Sequence, residues 1–264
     1  MSNRTINIVL SRVRRVLRLA AMKWRDENNL TWLDTPPLLT TLNERATQRA
    51  PYPLTWEQQR LFLAELPDYL HKMALYKVNT GCREQEVCLL RWDYEVEVPE
   101  LSTSVFLIPW NFGGRRPNSG VKNRYDRLVV LNSVARSVID GQRGLHPVWV
   151  FPHRGRPVDR MTQRPWRLAR SRAAATWQEL KGEPASSGYA NVRVHDLKHT
   201  FGHRLDAAGV PFGDCQVLLG HKPRSVTQRY MVAEITRLIA AAERVLETEH
   251  RTTVPLTIIR RNAA

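Results

Sequence analysis

The chain has 264 residues, with 40 Lys plus Arg against 25 Asp plus Glu, a formal net charge of +15 and a pI near 10.4. That length supports one large domain or two modest ones with a proper core, and positive charge spread along the whole chain points to a polyanionic partner, nucleic acid ahead of an acidic membrane surface. Three cysteines without a CxxC pair exclude a disulfide framework and a zinc ribbon and suit a reducing cytoplasm, and no run of about 18 apolar residues offers a membrane span.

The chain opens with "TINIVLSRVRRVLRLAAMKW", in which Ile6, Val9, Leu10, Val13, Val16, Leu17, Ala20, Ala21 and Trp24 recur at helical spacing. An arginine-rich, acid-free start also characterises transit peptides and membrane-surface helices, but the regular stripe reads as a packed helix that faces DNA. Residues 25–52 break this period and carry Pro36, Pro37 and Pro51, as an inter-domain connection does, which puts a boundary near residue 50. Thr55 and Gln58 then form a T-x-x-Q capping box that opens a helical region through Val78, with an interruption at Pro67.

"NTGCREQEVCLLRWD" ends that helix at Gly81 and starts another, whose apolar side is Val87, Cys88 and Leu90. From Tyr94 to Leu131 the segments "YEVEV", "SVFLIPW" and "DRLVVL", separated by turn-rich sequence, predict a small antiparallel sheet. Helices are predicted again over 132–141, 160–181, 195–208, 211–219, 224–231 and 234–248. The fold class is mixed α+β and mostly helical, one helix-dominated domain around a short antiparallel sheet, preceded by a partial helical domain.

Chemistry concentrates in "VRVHDLKHTFGHR", where His195, His199 and His203 repeat every four residues. On one helix face such a series suggests a metal site. The H-E-x-x-H glutamate is absent, however, and Lys198 stands beside the second histidine, where a cation opposes metal binding. No phosphate loop, dinucleotide fingerprint or serine elbow occurs elsewhere. What is left is a set of cations and hydrogen-bond donors, His195, Lys198 and His221 among them, with Tyr230, nine residues after His221, as the one candidate nucleophile.

In "LTWEQ", "NTGCREQEVCLLRWD", "GVKNRYDRLVVLN" and "RVHDLKHTFGHRLDAAGVPFGDCQVLLGHKPRSVTQRY", taken in order over about residues 52–235, the chain resembles the tyrosine recombinase, or phage integrase, family. The resemblance implies that Arg83 is the first catalytic arginine, Glu86 the acid that supports it, Lys122 the hairpin lysine and His195 the first histidine of H-x-x-R. It likewise makes His221 the histidine of "LGH" and Tyr230 the nucleophile. Where the family has its second arginine this chain has Lys198, which keeps the charge and loses the two-point fork. By analogy with the loss of one oxyanion donor, the cost is roughly 10²–10³ in rate.

The implied domains are a partial helical core-binding, DNA-clamping domain and linker (1–50), a catalytic domain (51–249) and a C-terminal tail (250–264). The helix over 234–249 resembles the family segment that docks into a neighbouring subunit; packing on its own domain is the alternative. The implied activity is site-specific DNA recombination through a covalent 3′-phosphotyrosyl intermediate, for a phage or other mobile element. Implied with it are double-stranded DNA as partner, a homotetramer on two DNA sites, accessory DNA-bending proteins, a cytoplasmic, nucleoid-associated location, and no membrane, metal or cofactor. Three rivals stand beside this reading: a non-catalytic DNA-binding relic, a type IB topoisomerase-like relaxing activity and a metal-dependent nuclease.

Overall fold

The computed structural model describes residues 1–113, 125–221 and 235–246, and divides the chain into two compact units, Met1–Ala50 and Pro51–Ala264. In the first unit, helix α1 (Asn3–Met22) starts at Ser2, whose hydroxyl accepts from the Thr5 amide. The return segment is fastened to α1 by Asn7, a buried amide that donates from Nδ2 to the Leu42 carbonyl and accepts the Leu42 N–H at Oδ1, both at 2.9 Å. Asn7, Ala20 and Ala21 are the buried residues of α1, whereas Val9, Val13 and Val16 of the expected stripe are exposed. The return is irregular apart from a short 3₁₀ turn at Glu44–Thr47.

The second unit begins with α2 (Trp56–Ala64), opened by the Thr55 and Gln58 capping box with both of its reciprocal bonds at 3.2 Å. Pro67 then stands as the cap of α3 (Asp68–Thr80), because proline can begin a helix but cannot continue one. Helix α3 stops at Gly81, whose φ of +62° is left-handed; a Cβ there would lie 2.6 Å from Phe201 Cδ1, so both the turn and the packing require glycine. Helix α4 (Glu84–Cys88) follows, with Val87, Cys88 and Leu90 buried.

Strands β1 (Glu95–Val98), β2 (Thr103–Ile108) and β3 (Arg127–Val130) form an antiparallel sheet in that order, with Ile108 opposite Arg127. Alternation sends Phe106, Ile108 and Val129 into the main core and Val105 and Val130 into a second one behind the sheet. Helix α5 (Ser133–Asp140) and a two-residue-strand hairpin, β4 (Pro152–His153) and β5 (Arg156–Pro157), come next. The main core is closed by α6 (Arg164–Lys181), α7 (Ser187–Ala190) and the start of α8 (Val194–Ala207). The second core joins the later part of α8 to α9 (Phe212–Leu218) and α10 (Ile235–Glu243).

The mostly helical α+β class and the antiparallel sheet are as the sequence predicts. Helix α6 starts at Arg164 and not at residue 160, because Pro165 belongs in a first turn and Glu84 takes the Met161 and Thr162 amides out of any helix. The helix predicted over 224–231 and the 250–264 tail lie outside the described residues. Helix α10 packs on its own unit: Leu238, Ala241 and Ala242 are buried, Arg237 pairs with Asp214 at 2.8 Å, and Glu243 accepts from the Ser133 amide at 2.8 Å.

Candidate functional site

Two turns meet at the site, the α3–α4 turn that carries Arg83 and the exit of α9 that carries His221. Arg83 precedes the first turn of α4, where its amide donates to Glu86 Oε2 at 2.7 Å and its Nη1 donates to Glu86 Oε1 at 2.7 Å. The same guanidinium reaches across to the Gly220 carbonyl through Nη2 at 3.2 Å. Arg83 therefore sits half-buried with its head fixed between the two turns, while Glu86 beneath it is only 1% exposed. Burial alone would raise the Glu86 carboxyl, but Arg127 and Arg83 outweigh it and hold its pKa below the ordinary value.

His221 follows Gly220, has its amide on the Gln216 carbonyl at 2.9 Å, and presents an exposed ring whose Nδ1 lies 3.2 Å from Gln216 Oε1. Gly220 has a left-handed φ of +60°, and a Cβ there would stand 2.4 Å from Nη1 of Arg127.

On α8, the entry turn is closed by Asp196, which accepts the Arg193 amide at 2.8 Å and the Tyr52 amide at 3.3 Å. His195 is exposed and meets the His199 ring edge-on at 4.7 Å. Partial burial of its ring first, then His199, Lys77 and Lys198, lower its pKa to about 4, so it is a neutral base at physiological pH. Among the described residues no group of three His, Cys, Asp or Glu side chains is arranged to hold a metal ion.

Lys198, one turn further on, points inward. It is 5% exposed, and its Nζ donates to the Gly81 carbonyl at 2.6 Å and to the Leu219 carbonyl at 2.5 Å. Burial first, then Arg127, Arg83 and Lys77, bring its pKa down to about 6. A neutral amine still has two N–H donors for the two carbonyls.

The structure thus joins Arg83, Glu86, Lys198 and the Leu219–His221 turn by direct contacts, and leaves His195 exposed on α8, three residues before the inward Lys198. Lys122 and Tyr230 lie outside the described residues. Sequence reasoning passes over Arg127, at the start of β3, which is 3% exposed. Its Nη1 donates to the Val217 carbonyl at 2.6 Å, its Nη2 to the Leu218 and Thr80 carbonyls, and its Nε lies 4.0 Å from Glu86 Oε2. The signal that could have found it is a charge on the core-facing side of an apolar strand, a position where arginine is rare unless paired.

The family model described as the Phage integrase family matches residues 57–237. The integrase of Salmonella phage P22 is 25% identical over 226 residues, 84% of this chain and 52% of that protein, so the chain spans about half of its length. The tyrosine recombinase XerA of Thermococcus kodakarensis is 25% identical over 249 residues, 92% of this chain and 76% of its own. The same fold occurs in the Tn1549 transposon integrase in complex with circular intermediate DNA (TM-score 0.52, 17% identity, 89% of this chain and 76% of that one). It occurs also in the XerH site-specific recombinase bound to a palindromic difH substrate (TM-score 0.55, 17% identity, 87% of this chain and 63% of that one).

Proposed function

The chain belongs to the phage integrase family, and on that premise we propose that it is a site-specific DNA recombinase that cuts and rejoins strands through a covalent 3′-phosphotyrosyl intermediate. The observation that carries this reading is the Arg83 guanidinium, held by buried Glu86 and by the carbonyl of Gly220, the residue before the exposed His221. Attack on a phosphodiester gathers negative charge on its non-bridging oxygens, and fixed donors aimed there stabilise the transition state without reorganising.

In this account the Tyr230 oxygen attacks phosphorus, forms a bond to the 3′ phosphate and expels the 5′ oxygen. His195, neutral at working pH, accepts the tyrosine proton, and Lys122 protonates the leaving oxygen. Arg83 and His221 hold the non-bridging oxygens. Attack of the freed 5′ hydroxyl on the phosphotyrosine reverses the sequence and reseals a strand, so the bond energy is conserved and neither metal nor nucleotide is consumed. Double-stranded DNA is the substrate, and a homotetramer on two sites of a phage or other mobile element, helped by DNA-bending proteins, is the assembly that strand exchange requires.

A second reading, a DNA-binding relic without catalysis, is favoured by the burial of Lys198, whose Nζ is spent on two carbonyls and does not reach outward as a phosphate grip. Nicked suicide DNA carrying the junctions of the protein's own genetic element separates the two. A covalent complex formed by the wild type supports the recombinase. A complex formed by Lys198→Arg alone makes the chain a crippled enzyme, and DNA binding without any complex supports the relic.

A further inference from the structure

Successive carbonyls at the exit of α9 are taken by successive basic side chains. Val217 and Leu218 bind Arg127, Leu219 binds Lys198 and Gly220 binds Arg83. The α3–α4 turn is bound in the same order, with the Thr80 carbonyl on Arg127 and the Gly81 carbonyl on Lys198 just before Arg83 itself. The three side chains come from three different elements, β3, α8 and the α3–α4 turn. They form a ladder between the two turns that carry the outward-facing groups.

We propose that Arg127, the deepest rung of this ladder, is a positioning residue of the phosphate clamp, fixing the separation of the Arg83 turn and the His221 turn. The inference rests on the recombinase reading above. Three features carry it. First, the guanidinium binds both turns at once and approaches Glu86, the carboxylate that holds Arg83. A planar fork with five donors can serve three carbonyls lying in different directions, and an ammonium on a flexible stem cannot hold the same geometry. Second, Gly220 leaves no room for a Cβ against Arg127, so the approach of the His221 turn is set by the arginine itself. Third, Arg127 is too deeply buried to touch DNA, so any effect on the reaction passes through the groups it holds.

The carbonyls it binds lie in the last turns of α3 and α9, where the i+4 amide partner is missing; that of Val217 also accepts the Gly220 amide at 2.9 Å. A positive charge is also favourable at that end of α9. The sequence thus places a cation where it caps a helix and sets a catalytic turn together.

The test uses the full-length protein with Arg127→Lys and Arg127→Gln. Hydrogen exchange is read on peptides covering 80–86 and 216–221, with α6 peptides as the internal control. Single-turnover covalent-complex formation is read in parallel on saturating nicked DNA. The proposal expects both turns to exchange about tenfold faster together while α6 is unchanged. It also expects the covalent step to slow about 100-fold in Arg127→Gln, the scale of a misplacement near 1 Å, with DNA affinity unchanged and partial recovery in Arg127→Lys. Equal acceleration of exchange in α6 would reduce Arg127 to a general stabiliser, and unchanged exchange in the two turns would overturn the ladder. If the wild type forms no Tyr230-dependent complex, the recombinase reading fails, while the exchange data still decide whether Arg127 holds the turns.

Discussion

Helix α1 carries five arginines, Arg4, Arg12, Arg14, Arg15 and Arg18, four of them exposed and Arg14 half-buried with its guanidinium on the Leu39 carbonyl. The junction of α3, α8, α9 and β3 has Arg127 and Lys198 buried and Arg83 half-buried, each tied to backbone carbonyls at fixed places. Exposed cations are interchangeable, because each gains by releasing counterions from a polyanion and none depends on the others. Buried basic groups are not, because each was stripped of water and must recover its hydrogen bonds from particular partners. On the recombinase reading proposed above, basic residues serve DNA affinity in the first unit and geometry in the second.

The comparison breaks most severely at Glu86. Glu86→Ala leaves Arg127 and Arg83 without their shared carboxylate, and removing one partner of a buried pair costs about 3–5 kcal/mol. Urea unfolding at neutral pH is expected to show that loss, whereas a difference under about 0.5 kcal/mol would place Glu86 among ordinary surface residues. Gly220→Ala comes next. Its left-handed φ and the 2.4 Å approach of Arg127 Nη1 predict a penalty of about 1–3 kcal/mol. The covalent step should suffer more than DNA binding does, so comparing the two on nicked DNA tests whether Arg127 has been pushed out of place.

Titration provides a third test. Lys198 is lowered to about 6 and Lys77 to about 8, both by burial first. Between these values and the ordinary lysine pKa the unfolded chain binds more protons than the folded one, so stability rises with pH. Between about pH 7 and pH 8 Lys198 adds a rise in stability on the order of 1 kcal/mol per pH unit, which is absent below its folded pKa. Denaturation across this window should show the slope in the wild type and a flatter line in Lys198→Met; parallel lines would mean that Lys198 is charged in the fold. The smallest expected effect on stability lies in α1. Arg12→Ala, Arg15→Ala and Arg18→Ala should each change it by less than about 0.5 kcal/mol. Each is nevertheless expected to lower the slope of log affinity against log salt by about 0.9 for every phosphate that the arginine neutralises. An unchanged slope would remove α1 from the DNA interface.

Local rules make the elements legible. The Thr55 box, the Pro67 interruption, the Gly81 stop and the three strand segments all depend on residues within a few positions of one another. The small β4–β5 hairpin and α7 escape such rules because two-residue strands and a single helical turn carry no period. At the site, Arg83 and Glu86 are picked out in the sequence by the family resemblance, and their contact is a local one, three residues apart on one turn. The inward turn of Lys198 cannot be read there. It depends on carbonyls of Gly81 and Leu219, 117 and 21 residues away, which only the packing of α8 brings together. Arg127 is hidden for the same reason, because its partners at Thr80, Val217 and Leu218 are local to nothing in its own strand.

The most direct test of the recombinase account is the site of the covalent bond. The wild-type protein is reacted with nicked junction DNA in the presence of EDTA, the adduct is trimmed with nuclease and digested, and the modified peptide is identified by mass spectrometry. The account predicts a nucleotide joined through its 3′ phosphate to Tyr230, and no adduct with Tyr230→Phe. An adduct on another residue, an adduct that requires a metal ion, or undiminished reaction of Tyr230→Phe would contradict it.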